Sequence, residues 1–160
     1  MAAMSIPQAG QPAPDFDLAA SGGDHVKLSD LQGKQVVLWF YPKDDTPGCT
    51  IEAKGFTAAA QRFEAADAVL LGISADGVAS HDDWVAKLGI PFRLVADPDH
   101  EAIDAYGVWG VSEWQGKTYE MTQRTTFLVA EDGTIARVWE KVKPEGHAEE
   151  VLAALAAPRR

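Results

Sequence analysis

The 160-residue chain is 46% hydrophobic and 24% charged, ordinary proportions for a globular protein, and is long enough to bury one sizeable core. Its formal net charge of -10 argues against a nucleic-acid or anionic-membrane partner, because both require a basic surface. Residues 1–10 lack the basic start and apolar core of a signal peptide, and no apolar run reaches membrane-spanning length. With a single cysteine, which fits a reducing compartment, these features predict a cytoplasmic protein.

No repeat, low-complexity stretch or linker divides the chain, so one domain is expected over residues 1–160. Residues 1–14, with Pro7, Pro12 and Pro14, read as an extended lead-in. Phe16 and Leu18 alternate with Asp15 and Asp17 as in a short strand, and residues 25–28 offer its hairpin mate across a Ser21-Gly22-Gly23-Asp24 turn. Ser29 is placed to cap one helical turn through Leu31. Residues 36–41 are continuously apolar and rich in β-formers, the mark of a central strand buried on both faces. Residues 50–66 have helical composition, with Ile51, Phe56, Ala59, Ala60 and Phe63 expected to face inward. A second buried strand follows at 68–74, then a helix at 80–88 closed by Gly89, a third strand at 92–96 and a helical turn at 100–106. Trp109 and Trp114 fall in a segment with no assigned structure. Strands at 125–130 and 135–139 flank Asp132-Gly133, a strong hairpin signal, and a last helix is expected at 146–156. Parallel strands with crossover helices, followed by an antiparallel hairpin, predict an α/β fold. Its mixed central sheet is flanked by helices in a thioredoxin-like layout.

Cys49 sits where the buried strand gives way to the long helix. Thr46 is placed as N-cap and Pro47 at the first helical position, where its missing N–H is harmless. Free backbone N–H groups and the positive end of the helix dipole stabilise a thiolate there, and the thiolate is the nucleophile. Gly48 leaves space beside the sulfur, the Thr46 hydroxyl can donate to it, and Pro42 ends the strand and shields one side. The competing reading is a small core cysteine. His25, His81, His100 and His147 show no metal-ligand spacing, and no metal, haem or flavin is implied.

The sequence resembles the peroxiredoxins, specifically the bacterioferritin-comigratory-protein (PrxQ) subfamily. The resemblance spans almost the whole chain: Pro14-Asp15-Phe16, the run Phe40-Tyr41-Pro42-Lys43-Asp44-Asp45-Thr46-Pro47-Gly48-Cys49-Thr50, Tyr106-Gly107-Val108-Trp109-Gly110, and Arg124-Thr125-Thr126-Phe127-Leu128-Val129 with its Asp132-Gly133 turn. It implies a single domain of the AhpC/TSA type, with Cys49 the peroxidatic cysteine and Pro42, Thr46 and Arg124 completing the active site. A guanidinium stays cationic at working pH and would stabilise both the thiolate and the charge on a departing peroxide oxygen, although Arg124 is equally readable as a solvated edge residue. Glu52, one helical turn after Cys49, is expected to help orient the arginine or simply to favour the helix start.

Many relatives carry a resolving cysteine five residues after the first, where this chain has Lys54; others carry it in a later helix, near residues 79–88 here, which also hold none. Peroxide attack is therefore expected to leave a sulfenic acid that an external thiol must reduce: thioredoxin, glutaredoxin or a glutathione-like small thiol. The expected substrates are hydrogen peroxide and organic hydroperoxides, and the expected state is a monomer or weak homodimer. Two rivals stand beside this reading: a thiol-disulfide oxidoreductase on the same fold, weakened by Thr46-x-x-Cys49 in place of Cys-x-x-Cys, and a redox-sensing binding module.

Overall fold

The computed structural model describes residues 5–155, the Trp114 side chain excepted. Residues 1–4 of the expected lead-in and residue 156, the expected end of the last helix, lie outside the described residues.

The continuous apolar run becomes β3 (Gln35–Phe40), every residue of which is buried. It has protein on both faces, so it needs no polar alternation. Its neighbours are β4 (Ala68–Ser74), parallel, and β8 (Thr125–Val129), antiparallel; β5 (Arg93–Ala96) and β9 (Ile135–Trp139) complete the order β5-β4-β3-β8-β9. The expected mixed sheet is present.

Side chains alternate across a strand, so β3 feeds two cores. Val36, Leu38 and Phe40 pack with Ile103, Tyr106 and Phe127. The hairpin β1 (Asp17–Ala19) and β2 (His25–Lys27) lies on this side, as does α3 (Glu101–Ala105). Val37, Trp39 and Tyr41 face the other way, against α1 (Pro47–Ala65), α2 (Val78–Leu88) and α4 (His147–Ala154). Trp39 stacks on Tyr41 and Phe56 with centroids 4.6 and 5.2 Å apart. Its indole also lies over Gly72, where an added Cβ would come within 2.9 Å of the ring and 2.8 Å of Leu94. A glycine inside this strand therefore marks a close approach of packed groups.

Helix α1 buries Cys49, Glu52, Ala53, Phe56, Ala59 and Phe63, one stripe at helical spacing. The stripe begins with two ionisable residues. Ile51, expected inward, is 43% exposed. It lies about 200° around the helix from Cys49, so once the cysteine faces the core the isoleucine cannot.

Two other expectations are corrected. Ser29 does not cap its turn: it lies inside a 3-10 segment, Leu28–Leu31, and its backbone N–H donates to Asp15 at 2.9 Å. The segment around Trp109 is ordered as a hairpin of β6 (Trp109–Trp114) and β7 (Lys117–Thr122). Its two-residue turn puts Gln115 and Gly116 at φ 51° and 78°. Turns of this kind favour Asn, Asp or Gly at both positions, so a glutamine conceals the signal. The Asp132-Gly133 hairpin forms as expected, with the Asp132 carboxylate accepting from the Thr134 N–H and hydroxyl.

Candidate active site

The site lies at the C-terminal end of β3. There the chain leaves the sheet through residues 41–46 and enters α1 with Thr46 in extended conformation and Pro47 as first helical residue. The Thr46 carbonyl accepts from the Thr50 N–H at 2.8 Å, opening the helix. Its hydroxyl does not cap: it donates to the Lys43 carbonyl at 2.8 Å and so tightens the loop. Pro42 is half-buried at the start of this loop.

Antiparallel pairing explains how a residue 75 positions away reaches Cys49. Phe40, at the end of β3, is in register with Thr125, at the start of β8. Arg124 is therefore delivered to the same end of the sheet. Its Nη1 lies 3.5 Å from the Cys49 sulfur and 2.7 Å from Glu52 Oε1. The Cys49 residue and the Glu52 side chain are wholly buried, whereas the Arg124 side chain is 17% exposed. This proximity removes the solvated-edge reading of Arg124. Glu52, placed one turn after Cys49, is its carboxylate partner.

Gly48 also borders the arginine. A Cβ there would stand 3.0 Å from Arg124 Nη2 and 3.6 Å from Pro144 Cγ, so the glycine makes room for the guanidinium. Burial works against the charge on Arg124, but Cys49 and Glu52 outweigh it and hold the group firmly protonated. At Glu52 burial wins: it pushes the carboxyl up to about 7 despite the pull of Arg124. The guanidinium keeps an edge toward solvent and the carboxyl has none, so the same ion pair tips differently at its two ends.

Two groups of residues were not legible as parts of the site. Asp44, within the loop, is buried and accepts from Tyr41 Oη at 2.6 Å, Ser80 Oγ at 2.8 Å and His81 Nδ1 at 2.7 Å. His81 is wholly buried on α2, and its Nε2 faces the Val95 carbonyl at 3.0 Å. The Asp44 N–H donates to Asp76, and the Asp45 carboxylate meets Lys87 Nζ. The loop of residues 41–46 is thus fastened to α2 by neighbouring side chains. Scanning histidines for metal-ligand spacing could not find His81, because its partners come from a loop and a strand. On the other side, His147 of α4 bonds Thr126 Oγ1 at 2.8 Å and Glu150 at 2.9 Å. Burial lowers its affinity for a proton, Glu150 opposes this, and the nearby Arg124 charge adds to the lowering. The Asp97 carboxylate, in the turn before α3, is taken up by the N–H groups of Glu101 and Ile103.

A buried cysteine on a helix N-terminus with an arginine on its sulfur suits nucleophilic chemistry on a small polar oxygen compound. Residues 9–138 match the AhpC/TSA family. The chain is 47% identical over 152 residues to a putative peroxiredoxin bcp of Coxiella burnetii, covering 95% of this chain and all of that protein. It is 42% identical over 146 residues to peroxiredoxin Bcp of Bacillus subtilis, covering 91% and 93% of the two chains. The solved structure of peroxiredoxin Q from Xanthomonas campestris superposes with a TM-score of 0.85 at 42% identity, over 92% of this chain and 96% of that one. A second structure of that organism's bacterioferritin comigratory protein, described as a trapped intermediate/ligand complex bearing on alkyl peroxide reduction, superposes equally well, at 0.85 and 41% identity. The chain belongs to the AhpC/TSA family, as a thioredoxin-like peroxiredoxin of the Bcp, or PrxQ, subfamily.

Proposed function

We propose that this peroxiredoxin works as a one-cysteine thiol peroxidase, in a single domain spanning residues 1–160, on hydrogen peroxide and organic hydroperoxides including alkyl peroxides. The observation that carries the reading is the Arg124 guanidinium 3.5 Å from the buried Cys49 sulfur. The Cys49 thiolate attacks the terminal peroxide oxygen and the O–O bond breaks. A proton joins the departing oxygen, leaving Cys49 sulfenic acid and water or an alcohol. Arg124 stabilises first the thiolate and then the charge on the departing oxygen. Thr46, Pro42 and the backbone at Gly48 shape the approach, and Glu52 orients the guanidinium.

Cys49 is the only cysteine of the chain, and exposed Lys54 stands at the usual resolving position. The sulfenic acid is therefore reduced by an external thiol, which forms a mixed disulfide with release of water. A second thiol then frees Cys49. Thioredoxin, glutaredoxin and a glutathione-like small thiol are the candidate classes. The sulfur is wholly buried, so the first turn of α1 must open locally for that thiol to reach it. Among the described residues no helix is long and apolar enough to cross a membrane. The setting proposed is the cytoplasm, with the protein a monomer or weak homodimer.

Stopped-flow measurement of peroxide consumption by the reduced protein tests the reading. Cys49→Ser is expected to abolish it; a variant as fast as wild type would sink the proposal. Intact mass after one equivalent of peroxide should show a single added oxygen, converted to a mixed disulfide by the true reductant.

A further inference from the structure

The active site holds one cation between two acids. Arg124 Nη1 donates both to the Cys49 sulfur and to Glu52 Oε1, while the second carboxyl oxygen, Oε2, is buried with no hydrogen-bond partner. With both acids ionised the pocket would carry a net negative charge away from water, and one carboxylate oxygen would be wholly unsatisfied. Burying uncompensated charge is costly, and groups so placed hold a proton instead.

We propose that Cys49 and Glu52 share one dissociable proton across Arg124, so that Glu52 is the positioning residue that keeps the proton when Cys49 becomes a thiolate. In the exchange the Cys49 S–H bond breaks and an O–H bond forms on the Glu52 carboxyl. No electrons pass between molecules, and the charge of the site is unchanged. Oε2 is the oxygen free to carry the proton, because Oε1 is occupied by the guanidinium donor. A neutral Glu52 still accepts from Arg124 at Oε1 but leaves the guanidinium charge to the sulfur. An ionised Glu52 competes for that charge. The tendency of burial to push the Glu52 carboxyl to about 7 agrees with this geometry.

Among the described residues Arg124 is the one cation hydrogen-bonded to Cys49 or Glu52, and Lys141 and Lys143, in the loop whose Val142 N–H donates to the Arg124 carbonyl, are exposed. His147, from α4, is disfavoured as a cation by burial and by Arg124, with Glu150 opposing them. Tyr41, in the same buried cluster, is held neutral because burial, then the charge of Asp44, push its phenol well up. Strands β3 and β4 bring no ionisable side chain, His81 and Asp44 face each other, and Lys54 on α1 is exposed.

The proposal rests on Cys49 being the reactive thiol, but its test uses no peroxide. Reduced protein is titrated while thiolate absorbance and the infrared band of protonated carboxyls are followed. The wild type is expected to form thiolate in two steps, as interacting sites do, with a protonated-carboxyl band persisting through the first. Glu52→Gln should remove that band and leave one step. In Cys49→Ser the band should vanish at a pH lower by about one unit, because no second anion competes for Arg124. If Glu52→Gln does not fold, wild type and Cys49→Ser suffice. A single thiolate step preceded by loss of the band, or a band that titrates alike in wild type and Cys49→Ser, overturns the proposal. Either result leaves the peroxidase reading intact, whereas two-step titration without peroxide consumption would overturn only the peroxidase reading.

Discussion

Two buried carboxyls flank the entry to α1, and the protein uses them in opposite ways. Asp44 accepts three hydrogen bonds, from Tyr41, Ser80 and His81, so both its oxygens are satisfied. Glu52 has one donor, which it shares with Cys49, and an oxygen with none. A carboxyl ringed by donors anchors the chain around it. One that shares its only donor responds to whatever else that donor touches. The loop is thus rigid on its α2 side and electrically adjustable on its Arg124 side.

The contrast can be broken at either carboxyl. Asp44→Ala leaves His81 and the Tyr41 hydroxyl buried without their acceptor, and should cost about 3–5 kcal/mol of stability in urea unfolding. A loss below about 1 kcal/mol would remove its anchoring role. Arg124→Ala takes away the charge on the sulfur, and peroxide consumption should fall by about 10²–10³-fold with the fold retained.

Glu52→Gln sharpens the comparison through pH. The folded carboxyl, raised from 4.5 to about 7, holds its proton more tightly than the unfolded one. The stability it contributes is therefore complete below about pH 4.5 and lost as pH rises through about 7. Relative to the glutamine variant, wild type should lose about 3 kcal/mol between pH 4 and pH 8 in chemical denaturation. Parallel pH profiles for the two proteins would contradict this. The smallest effect is expected from Gly48→Ala. Its Cβ would press on Arg124 Nη2 at 3.0 Å, and the flexible guanidinium must give way. Peroxide consumption should slow about tenfold, with stability changed by less than about 1 kcal/mol.

Much of the scaffold was legible because its signals are local. The unbroken apolar run of β3, the Pro47 helix start, Gly89 in left-handed conformation after α2 and the Asp132-Gly133 turn each carry their instructions within a few residues. The β6–β7 hairpin escaped because its turn uses a glutamine in an uncommon conformation. Ile51 was misplaced because apolar character alone does not say which side of a helix faces inward. The buried pair of Cys49 and Glu52 settles that here.

The chain alone identified the cysteine, its helix start and the lack of a second thiol, since these depend on residue identity and short-range spacing. Tertiary structure decided which charges surround the sulfur. The Phe40–Thr125 register brings Arg124 to the end of β3, the turn of α1 hides one oxygen of Glu52, and α2 carries His81 to Asp44. A charge environment depends on distance and exclusion of water, and both are set by groups packed together from remote parts of the chain.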